Sequence, residues 1–204
     1  MESRLNVILL THTPEPEKII STAAKLCYSP SNITDLLAKQ SEEESRKFID
    51  KLASMGHHSP LEHLVYTFGI EGVSRACTHQ LVRHRIASYS QQSQRYVGEN
   101  SKKEGKDFDY IMPPSFKEAG MDYWFKERMS ILQGWYDKAE EAFAKKGITG
   151  GKAHEDARFL LPNAAETKII VTMNARGLLY FFGKRTCNRA QWEIRAMAKE
   201  MYKL

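Results

Sequence analysis

Apolar residues follow two different spacings along the chain, and each spacing predicts a different element. Strand-like runs occupy residues 5–10 and 64–70, and residues 167–173 alternate apolar and polar side chains as in a half-buried strand. Segments with the helical spacing of three and four residues separate these runs. Since strands and helices do not alternate strictly, the pattern predicts an α+β fold and excludes a doubly wound parallel sheet.

The strongest helical pattern covers residues 122–146. Within it, apolar side chains recur from residue 125 to residue 143 at alternating spacings of four and three, which predicts a core face or a helix interface. The last helix is expected to begin at Asn188 and Gln191, which are spaced like a capping box. Shorter helices are predicted over residues 14–27, 32–55, 73–84, 154–161 and 174–185.

Polar residues mark the predicted loops. Serine and glutamine are frequent in residues 86–96, and residues 98–108 have the most loop-like composition of the chain. Neither stretch separates regions of different composition, and the sequence contains no internal repeat. We therefore predict a single domain over residues 1–204.

Composition narrows the class of protein. With 42% hydrophobic and 27% charged residues, the 204-residue chain has the composition of an ordinary globular protein. No apolar run is long enough for a membrane span or a signal peptide, so we expect a protein that is neither exported nor membrane-bound. The three cysteines, Cys27, Cys77 and Cys187, lie far apart, which suits a reducing cytoplasm and excludes a disulfide framework or a thiolate zinc site.

Four residues of metal-binding type lie close together at His57, His58, Glu62 and His63. Their spacing matches neither helical zinc motif, and Pro60 prevents one helix from presenting them all on one face. We predict no metal site and interpret the segment as a turn with structural histidines or as part of a pocket. The glycine-rich loops of Rossmann and P-loop proteins do not occur in the sequence either.

The arginines are concentrated, whereas the lysines are scattered among acidic residues on predicted helices. The chain carries a formal net charge of +5, and Arg75, Arg83, Arg85 and Arg95 lie in one short stretch. Serine hydroxyls and glutamine amides in the same stretch can bind phosphate oxygens and a pyrimidine edge. This composition favours a nucleotide-phosphate site. The alternatives are a basic nucleic-acid-binding module and a helical interaction protein built on the 125–143 stripe.

The arginine-rich stretch resembles the signature of the flavin-dependent thymidylate synthases. The matching pattern is Arg83-His84-Arg85-x-x-Ser88-x-x-x-x-Ser93-x-Arg95. Three further blocks follow the family's order, and together the blocks extend over nearly the whole chain. They are His57-x-Ser59-Pro60-x-Glu62-His63, Asn174-Ala175-Arg176, and Arg185 with Ala190-Gln191-Trp192-Glu193.

The resemblance implies an α+β homotetramer with active sites between subunits, each chain being one domain in which long helices flank a mostly antiparallel sheet. It implies FAD as cofactor, NADPH as reductant and methylenetetrahydrofolate as carbon donor for the methylation of dUMP to dTMP, which releases tetrahydrofolate. The implied partners are dUMP and folate, with no nucleic acid and no membrane, and the implied location is the cytoplasm.

By position, the resemblance also assigns site residues. Gln91 stands where some members have Glu, so no acid–base role is predicted for it, and Tyr180 stands where Asn or His is usual. His57 is expected near the flavin and the folate or reductant site. FAD binding is assigned to Ser59, Arg83, His84, Arg85, Gln91, Asn174, Arg176 and Tyr180. The residues assigned to dUMP are Gln80, Leu81, Val82, Arg83, Gln91, Gln92, Ser93, Gln94, Arg95, Arg158 and Arg185.

Methylation of uracil at C5 requires electron density at that carbon. Either a thiolate that adds to C6 or stabilisation of a ring deprotonated at N3 can supply it. Cys187 is the only candidate thiolate, because Cys77 is predicted in mid-helix and Cys27 on an apolar helix face. An arginine directed at the pyrimidine edge stabilises the anionic ring. We predict this catalytic role for Arg185, and the family likewise needs no cysteine nucleophile.

Overall fold

The computed structural model describes residues 1–38 and 40–204, with Glu42 described by its backbone only. Within these residues, four strands form one antiparallel sheet in the order β1-β2-β4-β3. The predicted α+β class with an antiparallel sheet is therefore confirmed. The strands are β1 (Asn6–His12), β2 (Val65–Ser74), β3 (Ala87–Gln91) and β4 (Glu166–Asn174).

Helices make up most of the remaining structure. Within the residues that the structure describes, none of them is both long and apolar enough to cross a membrane. Two short 3₁₀ helices cover Ser59–His63 and Arg158–Leu160. The α-helices are α1 (Pro16–Leu26), α2 (Ile33–Ala38), α3 (Glu42–Ser54), α4 (Arg75–Leu81), α5 (Ser101–Glu104), α6 (Pro114–Glu118), α7 (Asp122–Ala144), α8 (Gly151–Ala157), α9 (Ala175–Arg185) and α10 (Trp192–Lys203).

The chain folds into two compact units, each assembled from separate segments. The chain passes between units within each of the four described strands and once more in the short turn between α4 and β3, which explains why no change of composition marks the division. The single domain over residues 1–204 stays a prediction. The first unit comprises Met1–Val7, Ile70–Arg83 and Ser90–Ile170, and the second comprises Ile8–Gly69, His84–Tyr89 and Val171–Leu204.

In the first unit, α7 supplies one wall of the core. Phe125 and Met129 pack with Phe108, Tyr110 and other apolar side chains, so the predicted core stripe is confirmed. The same face of the helix also buries two polar residues, Gln133 and Glu140. Their hydrogen bonds to residues 99–108 replace the water that burial removes.

The core of the second unit lies where α1 and α3 pack against the 3₁₀ helix that precedes β2. Ile20, Ala24, Leu52 and Leu64 form its centre. Ala175 packs beside this cluster, and its backbone N–H donates to the carbonyl of Leu64 at 2.9 Å. This bond connects the start of α9 to the turn before β2.

Two predicted helices have different limits in the structure. The single helix predicted over residues 32–55 is wrong, because the backbone of Ser41 is extended and its hydroxyl accepts from the N–H of Glu44 at the start of α3. Residue 39, within that prediction, lies outside the described residues. The helix predicted over residues 73–84 begins later, since β2 continues through Ser74 and the Ser74 hydroxyl caps α4.

Polar composition misled the loop predictions. Residues 86–96 contain β3, which lies at one end of the strand order and leaves Ser88 and Ser90 exposed, so it lacks an apolar alternation. Residues 98–108 include the short helix α5, which the Asn100 side chain caps. Helix α6, which has only five residues, is too short to show a helical pattern in the sequence and was not predicted.

Two other expectations are also corrected. The last helix is capped by Gln191, whose side-chain oxygen accepts from the N–H groups of Glu193 and Ile194 at 3.0 and 3.2 Å, and Asn188 is not its cap. Cys27 follows the last turn of α1 and is exposed, because the apolar face of this helix ends before it. Cys77, by contrast, is fully buried within α4, as predicted.

Candidate active site

Several residues assigned to FAD lie at the start of α9 in the second unit. Asn174 is the N-cap, and its side-chain oxygen accepts from the N–H of Gly177 at 2.8 Å. Arg176 is exposed and forms an ion pair with Glu62 of the 3₁₀ helix that begins at Ser59. The structure thus brings the Ser59 block and the Asn174 block together, although they are far apart in the sequence.

The predicted catalytic residue Arg185 contacts a predicted flavin residue. Its Nε donates to Nε2 of His84 at 2.9 Å, and both side chains are partly buried. Burial, together with the positive charge of Arg185, lowers the pKa of His84. The imidazole is therefore neutral near pH 7, and its Nε2 is the acceptor that Arg185 requires.

Aromatic groups fix the position of the His84 ring. The ring meets Phe181 edge-on with centroids 4.9 Å apart and Tyr180 at 6.2 Å. Tyr89 donates its hydroxyl to the carbonyl of His84 at 2.7 Å. Because these contacts come from α9 and β3, the orientation of His84 follows from the fold and not from the signature segment alone.

Exposed side chains lie on either side of His84, at Ile86 in the sequence and at Tyr180 across the ring contact. Ile86 has a φ of 66°, in the left-handed region that a β-branched residue rarely adopts, and 81% of its surface is exposed. Tyr180 is 63% exposed, and the ammonium of Lys184 lies 5.6 Å from its ring centre. The predicted flavin residue Arg85 is exposed as well. These side chains therefore offer an accessible cation, an aromatic face and an apolar surface.

In the first unit, two arginines line a cavity of about 330 Å³. Arg158 was predicted to bind dUMP, and so was Gln94, which also lines the cavity. Burial and the nearby charge of Arg158 lower the pKa of Arg75. Among the described lining residues there is no carboxylate, so the cavity suits an anion.

Sequence reasoning did not assign Arg75 and His79 to a site. They stand four residues apart on α4, and both line the cavity. The available signal was this spacing, because residues i and i+4 share one face of a helix. What the sequence alone did not reveal was that Arg158, from a distant segment, faces the same space.

Two other residues assigned to dUMP have structural contacts in the first unit. The Gln91 amide donates to the hydroxyls of Thr78 and Thr167 at 2.9 and 3.2 Å. Arg95 is exposed, and its Nε lies 2.9 Å from a carboxylate oxygen of Glu155 on α8.

Leu81 differs from the other assigned residues because its side chain is fully buried. Any ligand contact of this residue therefore has to use its main chain. Next to Leu81, Gln80 is partly buried, whereas Val82 and Arg83 are exposed at the end of α4. The assigned residues Gln92 and Ser93 follow β3 and are partly buried.

Cys187 keeps the thiolate alternative open. It is exposed, two residues after Arg185, and hydrogen bonds from the backbone of Arg189 and Ala190 lower its pKa. A lowered pKa increases the thiolate fraction, which is the nucleophilic form. Geometry alone thus leaves both Arg185 and Cys187 as candidates for activating the substrate.

His57, His58 and His63 are all exposed in the second unit. Among the described residues, no group of three or more histidine, cysteine or acidic side chains is arranged to hold a metal ion. The absence of a metal cofactor stays a prediction.

Known proteins resemble this chain over almost its full length. Residues 8–204 match the family model described as thymidylate synthase complementing protein. A flavin-dependent thymidylate synthase from Clostridium tetani is 52% identical over 97% of this chain and 80% of its own length. The corresponding enzyme from Geobacter sulfurreducens is 50% identical over 98% of this chain and 82% of its own.

Solved structures share the fold at lower identity. A UMP/dUMP methylase from Streptomyces cacaoi, bound with 5-Br dUMP, has a TM-score of 0.80 at 20% identity and covers 99% of this chain and 90% of its own. A flavin-dependent thymidylate synthase from Helicobacter pylori, complexed with FAD and dUMP, has a TM-score of 0.69 at 24% identity, covering 97% and 92%. The family match and the identities near 50% confirm the resemblance predicted from the signature: this chain belongs to the flavin-dependent thymidylate synthase family.

Proposed function

We propose that the protein converts dUMP to dTMP by a reductive methylation that uses FAD. Family membership supports this activity, as do the names of relatives that are 52% and 50% identical. The single observation in this chain that carries the proposal is the cavity with Arg75 and Arg158. Two guanidiniums without a facing carboxylate match the charge and the geometry of a phosphate monoester.

In this proposal, the phosphate of dUMP enters that cavity and contacts Arg158 and Arg75. Gln94 adds an amide from the same lining, and Arg95 approaches from the segment that follows β3. A phosphate dianion offsets the electrostatic repulsion between the two guanidiniums. Binding is therefore favoured by the loss of this repulsion as well as by hydrogen bonds. The other residues assigned to dUMP by resemblance remain part of the proposal: Gln80, Leu81, Val82, Arg83, Gln91, Gln92, Ser93 and Arg185.

The proposed FAD site uses the exposed groups of the second unit. Arg85 and Arg176 present cations that fit the diphosphate of FAD, and the exposed ring of Tyr180 fits a planar partner. This donor set is chemically suited to the cofactor, whose reduced form supplies the hydride that converts a transferred methylene into a methyl group. Ser59, His84 and Asn174 of the same unit complete the proposed set, while Arg83 and Gln91 of the first unit are assigned to FAD by resemblance alone.

Arg185 has the proposed catalytic role. Its Nε is held by the neutral ring of His84, and its two Nη groups are the donors that we assign to the pyrimidine edge. A fixed guanidinium stabilises charge on a ring deprotonated at N3, because the donor needs no reorganisation when the charge develops. That charge raises the electron density at C5, where the methylene group is attached.

The proposal includes NADPH as reductant, methylenetetrahydrofolate as carbon donor and tetrahydrofolate as product, with His57 near the flavin. It also includes a homotetramer with active sites between subunits. Support for association comes from the second unit, where Leu179, Tyr202 and Leu204 are more than half exposed beside an apolar cavity of about 350 Å³. A cytoplasmic location, without nucleic-acid or membrane partners, is proposed on the same family basis.

The test is formation of dTMP from dUMP by the purified protein with FAD, NADPH and methylenetetrahydrofolate. Arg158→Ala should raise the KM for dUMP by about tenfold or more, since it removes a charge-assisted hydrogen bond. Arg128→Ala is the matched control, because Arg128 is exposed on α7 and does not line the cavity. Flavin binding without dTMP formation would refute the activity, and salt-sensitive polynucleotide binding instead would favour the nucleic-acid module.

Two variants separate the routes of activation. Arg185→Ala should lower turnover by about 10² to 10³, the usual cost of removing one preorganised donor, while Cys187→Ala should stay within a small factor of the parent. Single-turnover kinetics with pre-reduced flavin measures both. An inactive Cys187→Ala beside an active Arg185→Ala would establish the thiolate route instead.

The oligomeric state has its own test. Light scattering should show a tetramer, and dissociation of the subunits should release flavin. A monomer that retains tightly bound FAD would contradict the proposed assembly.

A further inference from the structure

We propose that His154 and Glu140 are positioning residues that hold the main chain of residues 95–100, so that the Arg95 guanidinium is presented to the phosphate of the substrate. We call residues 95–100 the Arg95 segment. The inference rests on the proposed function, in which Arg95 binds the dUMP phosphate. Neither His154 nor Glu140 touches the substrate in this proposal.

His154 connects the Arg95 segment to a buried carboxylate. Its Nδ1 lies 3.2 Å from the carbonyl oxygen of Arg95, and its Nε2 lies 3.2 Å from Oε1 of Glu140. A carbonyl oxygen can only accept hydrogen bonds. The Arg95 carbonyl accepts, so Nδ1 carries the hydrogen of that contact, and Nε2 faces the Glu140 carboxyl group.

Glu140 holds the other end of the segment. Its Oε2 accepts from the side-chain amide of Asn100 at 2.9 Å, and its Oε1 accepts from the hydroxyl of Tyr136 at 3.3 Å. The Glu140 side chain is only 5% exposed, and His154 is 13% exposed. The Nζ of Lys103 lies 4.0 Å from Oε2 of the same carboxylate. One buried carboxylate on α7 thus fixes both ends of the segment.

Glycine at position 98 lets the ring lie directly against the segment. A Cβ at this position would be 2.6 Å from Nε2 of His154 and 2.8 Å from its Cε1. Such distances are well inside van der Waals contact, so any side chain would displace the ring. The Gly98 backbone has no positive φ, so its role here is close approach and not conformational freedom.

Helix α8 binds Arg95 twice. His154 contacts the Arg95 carbonyl, and the adjacent Glu155 lies 2.9 Å from the Arg95 Nε. Main chain and side chain are thus held by neighbouring residues of one helix, which limits the directions in which the guanidinium can point. A binding group held in place before the ligand arrives loses less conformational freedom on binding.

The experiment compares His154→Leu, which removes both ring nitrogens, with His154→Asn, whose amide keeps a donor near the position of Nδ1. Calorimetry on the FAD-loaded protein measures the Kd for dUMP, and steady-state kinetics measures kcat. We expect His154→Leu to raise the Kd by about tenfold with kcat within about threefold, since the hydrogen bond that holds the Arg95 carbonyl is lost. His154→Asn should recover most of this loss. Lys152→Ala, an exposed position on α8, is the matched control and should change neither value.

A double-mutant cycle tests whether the effect passes through Arg95. In an Arg95→Ala background, His154→Leu should change the Kd less than about twofold, because the group that it positions is already missing. An undiminished effect in that background would overturn the proposal, and so would an unchanged Kd in a folded His154→Leu protein. If Arg95→Ala alone leaves dUMP binding unchanged, the phosphate assignment of Arg95 fails, which is a separate result.

Gly98→Ala gives a second measurement should His154→Leu fail to fold. This variant keeps His154 and Glu140 but displaces the ring. It should raise the Kd for dUMP in the same direction while FAD binding stays unchanged. Unaltered dUMP affinity in Gly98→Ala would overturn the proposal.

Discussion

Glu99 provides a direct test of the electrostatics of the first unit. Burial raises its pKa to about 7, and the carboxylates of Asp109, Glu166 and Glu104 add to this effect, while Lys106 opposes it. The ordinary pKa of a glutamate is 4.5. Between pH 4.5 and pH 7 the folded protein therefore binds more protons at this site than the unfolded chain, and the free energy of unfolding falls as the pH rises.

The size of the effect follows from these two pKa values. After a discount for the partial exposure of the side chain, the ionised Glu99 destabilises the fold by about 1 to 2 kcal/mol above pH 7. Glu99→Gln removes the ionisation but keeps both main-chain hydrogen bonds of the residue. Its N–H donates to the hydroxyl of Tyr136, and its carbonyl accepts from the side-chain amide of Gln133. The variant should be more stable than the parent at pH 8 and about equally stable at pH 5.

Thermal unfolding at these two pH values measures the difference. For a chain of this length, about 1 kcal/mol corresponds to roughly 2 to 4 °C in Tm, so Glu99→Gln should gain several degrees at pH 8. Glu118→Gln, at an exposed position on α6, is the control and should leave the pH dependence unchanged. The same loss of Tm between pH 5 and pH 8 in the parent and in Glu99→Gln would refute the reasoning.

Three further outcomes are expected. An NMR titration should give a pKa of His84 below that of an unstructured histidine. Arg185→Gln should raise this pKa only in part, since burial is the larger cause of the shift. An unchanged pKa in Arg185→Gln would contradict the contact between the two side chains. Arg75→Gln should weaken dUMP binding by about tenfold while flavin binding is retained, which calorimetry and flavin absorbance distinguish. Ile86→Gly should raise the free energy of unfolding by about 1 kcal/mol by relieving its positive φ, and a lower Tm would argue against strain at that residue.

Sequence periodicity predicted the elements whose burial is one-sided. Helix α7 is the clearest case, because Phe125, Met129 and Tyr136 fall on its buried face at helical spacing. Strand β3 was missed because serines and glutamines at the end of a sheet carry no apolar alternation. Ser41 was missed as a helix start because the apolar spacing continues across it, and a cap depends on one hydrogen bond that periodicity does not register.

The site was predictable only in part, and for a related reason. The signature placed His84 and Arg185 in separate blocks, whereas the structure joins them by a hydrogen bond across 101 positions of the chain. Arg75 belonged to a visible cluster of arginines, but its partner Arg158 comes from a distant segment. Tertiary contacts of this kind decide which members of a charged cluster face one cavity, and they leave no local spacing in the sequence.

Gln91 illustrates how a position within the signature can serve the fold. Thr78 has one hydroxyl hydrogen, and that hydroxyl donates to the carbonyl of Arg75 at 3.0 Å, so toward Gln91 it acts as an acceptor. The Gln91 amide supplies the hydrogen for this contact and for the one to Thr167. An ionised glutamate at position 91 could not donate a hydrogen bond. Thr78 would then either turn its hydroxyl hydrogen away from the Arg75 carbonyl or leave its own oxygen facing a carboxylate without a hydrogen between them. Because both threonines are buried, that loss would be costly. Glutamine is therefore the residue that this arrangement requires, and proton transfer in the proposed reaction has to be assigned to groups other than residue 91.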